Sequence, residues 1–289
     1  MKIVLFFLFF GFLLAKTQAQ NPSTTIPNTK PFMLGVIDEI TSTELGEKRI
    51  LNIYLPEGYH ENDTTKYPVI YLLDGSADED FIHIAGLVQY FNFPWINTLP
   101  KSIVVGITNI DRRRDFTSPS THPDIRKKFP SAGGSQKFMT FIEKELQVYI
   151  SKKYRTTNTK TIIGQSLGGL LATEILFKKP HLFDKYIIIS PSIWWNDGEL
   201  LKDNPQLLQA SFGQPLSIYI GVGKEGLSPI FDNHVMEEDA KKLAEKIQQT
   251  KSKSITVYFD YLPAENHATV THPAVFNAFR ILYPNQKEK

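Results

Sequence analysis

The 289-residue chain contains no cysteine. That absence removes thiol nucleophiles, cysteine-ligated metal, cysteine-linked lipid and disulfide staples together, so the fold has to rest on its apolar core. A surplus of either charge is also missing: 32 Lys and Arg stand against 30 Asp and Glu, a formal charge of +2. Polyanion binding usually shows as a basic excess. Neither nucleic acid nor an anionic membrane surface is therefore an expected partner. There is no internal repeat, and the one long apolar run lies at the extreme N-terminus.

That run starts Met1-Lys2-Ile3-Val4-Leu5 and extends to Ala15, with small residues at Thr17 and Ala19. One lysine ahead of an apolar stretch and a small-residue cleavage site is the layout of a signal peptide, expected over residues 1–19. The run is short for a membrane span. The expectation is export to the periplasm or the exterior, with no stable membrane insertion after cleavage. Loss of Lys2 and Lys16 leaves 30 basic against 30 acidic residues. Residues 20–31 are polar and proline-rich and read as a flexible leader. Residues 32–289 have the size of a single α/β domain. Asn62-Asp63-Thr64 fits a glycosylation sequon.

Two runs, residues 32–37 and 48–55, are separated by a polar stretch and read as antiparallel edge strands. From residue 67 the character changes. Residues 67–73, 102–107, 161–164, 186–189, 216–220 and 255–259 are continuous apolar runs, as in strands buried on both faces. Amphipathic spacing predicts helices over residues 137–149 and 234–247, an apolar helix over 170–177 and a last helix over 273–282. Strands alternating with helices predict a mostly parallel central sheet with helices on both faces. The short span 191–214 leaves no room for a large lid.

The strongest chemical signal is Gly164-Gln165-Ser166-Leu167-Gly168, a G-x-S-x-G pentapeptide. It sits between an apolar strand and an apolar helix, the setting of a nucleophile elbow. There a sharp turn lifts the Ser166 hydroxyl out of the sheet and aims the Leu167 amide at a developing oxyanion. Asp74-Gly75-Ser76 follows the strand expected to supply the second amide, assigned to Ser76. A serine hydroxyl needs a base at neutral pH. The order serine, acid, histidine leaves His181, His234, His267 and His272. Of these, His267 lies in a polar loop directly after the final strand, where a base can reach back across the sheet edge. Glu225 is the leading acid, in a glycine-rich turn after the 216–220 run, with Asp232 and Glu265 as alternatives.

Several pieces together resemble a known family. They are Tyr67-Pro68-Val69 through Leu73-Asp74-Gly75, Gly106-Ile107 with Asp111-Arg112-Arg113-Arg114-Asp115, Gly133-Gly134, Gly164 through Gly169, Ser190-Pro191-Ser192-Ile193-Trp194-Trp195, and Glu265-Asn266-His267. The chain resembles the esterases that include siderophore esterases acting on enterobactin-like trilactones, and more distantly acetyl-xylan and feruloyl esterases and S-formylglutathione hydrolase. The resemblance implies an α/β-hydrolase fold and ester hydrolysis through Ser166 and His267 without metal or cofactor. It matches Glu225 to the family's acidic position, although some siderophore esterases work with a serine and histidine dyad.

Arg112 and Arg114 either brace the loop by pairing with Asp111 and Asp115 or face the cleft and attract an acidic substrate group. Trp194 and Trp195 offer aromatic surface to a substrate or pack inward. The expected partner is a small-molecule or saccharide ester, with a siderophore lactone and an acetylated or feruloylated carbohydrate as alternatives. The competing class is a binding homologue without catalysis, which would ordinarily lack one of these residues.

Overall fold

The computed structural model describes residues 30–283. The expected signal peptide over 1–19, and the leader up to residue 29, lie outside them. The described residues from Leu34 onward belong to one compact unit, and those up to Met33 to another.

Among the described residues, eight strands form one sheet: β1 (Val36–Ser42), β2 (Glu47–Tyr54), β3 (Tyr67–Leu72), β4 (Ile103–Ile107), β5 (Thr156–Gln165), β6 (Lys185–Ile189), β7 (Leu216–Gly223) and β8 (Ile255–Leu262), in the order β1-β2-β4-β3-β5-β6-β7-β8. β2 is antiparallel to both of its neighbours, β1 and β4; every pairing from β4 through β8 is parallel. This is the α/β-hydrolase core.

Nine α-helices accompany the sheet among the described residues: α1 (Phe81–Phe91), α2 (Arg112–Phe116), α3 (Pro123–Lys128), α4 (Ser135–Phe141), α5 (Gln147–Lys153), α6 (Leu167–Lys178), α7 (Glu199–Lys202), α8 (Met236–Gln248) and α9 (Thr271–Leu282). A π-helical turn, Ile142–Leu146, joins α4 to α5.

The continuous apolar runs follow from burial on both faces. Along β3, Tyr67, Val69 and Tyr71 point into a core shared with α4, α6 and α8, while Ile70 and Leu72 point into a second core built with α1 and α9. β6 repeats the division through Tyr186 and Ile188 on one side and Ile187 and Ile189 on the other. Burying a large aliphatic side chain stabilises by about 1.5–3 kcal/mol, so these strands hold both layers.

The first edge strand departs from expectation. Residues 32–35 have no regular structure, and β1 runs instead through 36–42, a stretch whose polar character suggests a connector. Its inward positions are Asp38, Ile40 and Ser42, and the polar ones find partners. Asp38 takes hydrogen bonds from Tyr154 Oη (2.7 Å), Tyr149 Oη (3.1 Å) and Lys153 Nζ (2.6 Å), and Ser42 Oγ donates to Glu145. Buried polar groups are tolerated when bonded in this way. Helix α1 escapes the sequence reading because apolar residues also lie off its buried face of Phe81, Ile84, Ala85, Val88 and Phe91.

Candidate active site

β5 ends at Gln165 and α6 begins at Leu167, which leaves Ser166 on the turn between them with φ +60° and ψ −118°. Such a backbone is strained for any residue with a side chain, and close packing enforces it. A Cβ at position 164 would stand 2.4 Å from the Gly168 carbonyl oxygen, and one at 169 would stand 2.8 Å from that of Ile189. The Ser166 amide donates to Ile189 O (3.0 Å), and its carbonyl accepts from Ser192 N (3.1 Å). The Leu167 amide opens α6, where first-turn amides lack acceptors within the helix.

His267 lies in the turn after β8. Gln165 Nε2 donates to its carbonyl oxygen at 3.0 Å, and Lys224 N donates to Glu265 O at 2.8 Å, tying this loop to the end of β7. His267 Nε2 stands 3.0 Å from Ser166 Oγ, and Nδ1 stands 2.6 Å from Glu225 Oε2. With Nδ1–H donating to the carboxylate, Nε2 is left to accept from the serine hydroxyl. Asp232 is exposed and Glu265 enters through its carbonyl, so neither replaces Glu225 at Nδ1.

The Glu225 side chain is 2% exposed and fully engaged. Its Oε1 accepts from Ser190 Oγ and from Gly223 N (3.3 Å). Its turn is pinned by Glu237 of α8, whose Oε2 accepts the amides of Glu225 (3.2 Å) and Gly226 (2.8 Å). Beside these groups lies a cavity of about 250 Å³, lined by Ser166, Ser192, Glu225 and His267 on its polar side and by Trp194, Leu227, Pro229 and Met236 on its apolar side.

The esterase family model, described as "Putative esterase", matches residues 42–272. The chain belongs to this esterase family. Ferri-bacillibactin esterase BesA of Bacillus subtilis is 30% identical over 279 residues, spanning 90% of this chain and 92% of the relative. Among solved structures, the BES protein from Bacillus cereus aligns with a TM-score of 0.73 at 29% identity, covering 89% of this chain and 98% of that one. An IroE-like serine hydrolase from Shewanella oneidensis aligns with a TM-score of 0.72 at 29% identity, covering 86% and 80%. The protein is a serine carboxylic-ester hydrolase.

Within this esterase both Arg112 and Arg114 are ion-paired. Arg114 is paired with Glu47 (2.6 Å) and Asp115 (2.7 Å), in a network that also holds the fully buried Arg49. Its carboxylate partners hold the Arg114 guanidinium above its usual range, against burial. Arg112 is paired with Asp74. Of the two readings of this cluster, the geometry supports bracing.

The tryptophans divide. Trp194 lines the Ser166 cavity, whereas Trp195 Nε1 donates to Ser118 O (3.1 Å) beside Phe129 and lines a different cavity with Leu170 and Glu174. Trp195 is not among the residues that line the Ser166 cavity. His234, at the entry to α8, is 7% exposed and sits between Asp239 (2.5 Å) and Asp197 (3.1 Å).

The sequence alone assigned no role to Ser190, Ser192, Gln165 or Glu237, although the first three lie within quoted motifs. The signal for the first two was their position just after β6, the strand neighbouring Ser166. Near Ser76, Asp80 flanks α1 without a side-chain capping bond. Burial pushes its carboxyl up, the Asp74 and Glu79 charges add to this, and His272 and His83 oppose it. Among the described residues no cluster of three or more His, Asp or Glu side chains is arranged to hold a metal ion, and no helix is long and apolar enough to cross a membrane.

Proposed function

We propose that Ser166, His267 and Glu225 act as nucleophile, general base and orienting acid in a two-step acyl transfer to water. The observation that carries this reading is the unbroken hydrogen-bonded chain from Ser166 Oγ through both imidazole nitrogens to a buried carboxylate. Ser166 Oγ attacks the ester carbonyl as His267 Nε2 takes its proton. The amides of Leu167 and Ser76 receive the oxyanion, and the imidazolium, held by Glu225, returns the proton to the leaving alcohol. Water then repeats the cycle on the acyl-enzyme, with His267 as its base.

The substrate we propose is a siderophore lactone. The relatedness to ferri-bacillibactin esterase over nearly the whole chain supports this class. The cavity supports it too, since its apolar wall of Trp194, Leu227, Pro229 and Met236 suits a bulky group beside the scissile ester. Export, with cleavage after residue 19, belongs to the same proposal.

The test has two arms. Incubation with a fluorophosphonate and peptide mapping is expected to label Ser166; an unlabelled Ser166 together with no turnover of p-nitrophenyl acetate would end the serine mechanism. Turnover is then compared on catecholate trilactones, acetylated and feruloylated sugars, and p-nitrophenyl esters. The expected preference is for the trilactone, and a higher kcat/KM on a sugar ester would replace the substrate class while leaving the mechanism intact.

A further inference from the structure

One guanidinium joins the two chain segments whose amides are proposed to receive the oxyanion. Asp74 lies two residues before Ser76, has φ +54° and is 7% exposed. Arg112 grips its carboxylate with two prongs, Nε to Oδ1 at 2.6 Å and Nη2 to Oδ2 at 3.0 Å. The same Nη2 donates to the carbonyl oxygen of Gln165, the residue before Ser166, at 3.1 Å. Asn109 Nδ2 adds a bond to Asp74 Oδ1 at 2.7 Å, and the face of Phe116 lies 5.6 Å from the guanidinium carbon. On the far side, a Cβ placed on Gly168 would stand 3.1 Å from Asp74 Oδ2, so this carboxylate borders the first turn of α6.

We propose that Arg112 is a positioning residue that sets the spacing between the Ser76 and Leu167 amides and neutralises Asp74 beside the growing oxyanion. The inference rests on the serine mechanism proposed above. Two physical arguments carry it. First, the planar fork of a guanidinium engages a carboxylate at two points and still reaches a third acceptor, which the single ammonium of lysine cannot reproduce. The end of β3 and the elbow after β5 are thereby cross-braced through one rigid group. Second, an unpaired carboxylate at the mouth of α6 would oppose the negative charge that the amides are arranged to stabilise. Pairing with Arg112 reduces that opposition. The pairing also explains why this cation is spent on the protein and not on a substrate.

The experiment compares wild type with Arg112→Met, Arg112→Lys and the double variant Asp74→Asn/Arg112→Met, each checked for melting temperature and fluorophosphonate labelling at Ser166. For each, kcat and KM are measured on one neutral and one carboxylate-bearing p-nitrophenyl ester, together with the Ki of a boronic acid that forms a tetrahedral adduct with serine. Arg112→Met is expected to lower kcat about 10- to 100-fold on both esters, below the loss for deleting an oxyanion donor outright. KM should stay within a few-fold, and the boronic acid Ki should rise by the same factor as kcat falls. Arg112→Lys should recover little, and removing the Asp74 charge in the double variant should restore part of kcat.

A rise in KM confined to the anionic ester, with kcat and Ki unchanged, would overturn the proposal in favour of a substrate contact. A loss of activity that follows melting temperature, with Ki unmoved, would overturn it in favour of simple bracing. Absence of Ser166 labelling in the wild type would overturn the underlying mechanism and this inference with it, whereas a labelled Ser166 with an unmoved Ki overturns the inference alone.

Discussion

Ser190 Oγ donates to one oxygen of Glu225 while the other oxygen takes His267 Nδ1–H. Ser190 itself is fully buried with φ +42°, a conformation that a side chain makes costly. The backbone after β6 is thus held in a strained shape that delivers a hydroxyl to the acid. Ser190→Ala and Ser190→Gly are both expected to lower kcat/KM by about 10- to 100-fold, the range of one lost hydrogen bond to a charged group. Glycine should give the higher melting temperature of the two, because it tolerates positive φ. Equal activity of Ser190→Gly and wild type would assign the hydroxyl no part in holding Glu225.

Ser166→Ala should retain the fold and lose kcat by a factor on the order of 10⁶, and His267→Ala should lose about as much. The double variant should be no worse than either single one, since the two act as a unit. Steady-state kinetics with a melting curve for each variant checks this, and additive losses would argue against a shared mechanism.

Glu225→Gln keeps the shape of the side chain and removes the charge that orients the imidazole. A fall in kcat of roughly 10² to 10⁴ is expected, while Asp232→Asn, at an exposed residue, should leave kcat within a few-fold. A Glu225→Gln enzyme within a few-fold of wild type would identify a serine and histidine dyad.

The apolar side of the cavity can be narrowed without touching the reacting groups. Leu227 is 61% exposed and lines the pocket, so a larger ring there should be tolerated by the fold. Leu227→Trp is expected to raise KM for bulky acyl esters several-fold while leaving p-nitrophenyl acetate nearly unchanged. A uniform loss across a chain-length series would mean that the acyl group lies elsewhere.

Asp80 supplies a pH test of stability. Its carboxyl is raised above the usual value, first by burial and then by the Asp74 charge. A raised carboxylate binds protons more tightly in the folded state, so its ionisation opposes folding once pH exceeds its unfolded value of about 4. Asp80→Asn removes no side-chain capping bond and should raise the melting temperature at pH 7. The gain should vanish below about pH 4, where Asp80 is protonated in both states. Melting curves between pH 3 and 8, in steps of about one unit across the carboxylate range, check the sign.

The parallel sheet was legible because its strands are apolar on both faces, a pattern that survives without any knowledge of partners. Ser166 and His267 were legible because an elbow has strict small-residue demands at Gly164 and Gly168, and because the final strand ends beside a polar loop. Strand β1 was hidden, since its inward Asp38 and Ser42 are paired by residues more than a hundred positions away. Arg112 and Arg114 were ambiguous for the same reason: in sequence their visible partners are Asp111 and Asp115, while the structure adds Asp74 and Glu47, 38 and 67 residues distant. Trp195 could not be told from Trp194, because one step along the chain turns its ring toward Ser118 and away from Ser166.

Ser166, Glu225 and His267 follow β5, β7 and β8, and β6 lies between the first two. Their hydrogen-bonded chain therefore exists only after four neighbouring strands have paired in register, and a nascent polypeptide lacks it until residue 267 has been synthesised. Partly folded forms would carry all three side chains and remain silent. During refolding from denaturant, recovered ester turnover should consequently appear in step with the slowest pairing event among these strands and never ahead of it, which makes activity a built-in reporter of completed topology.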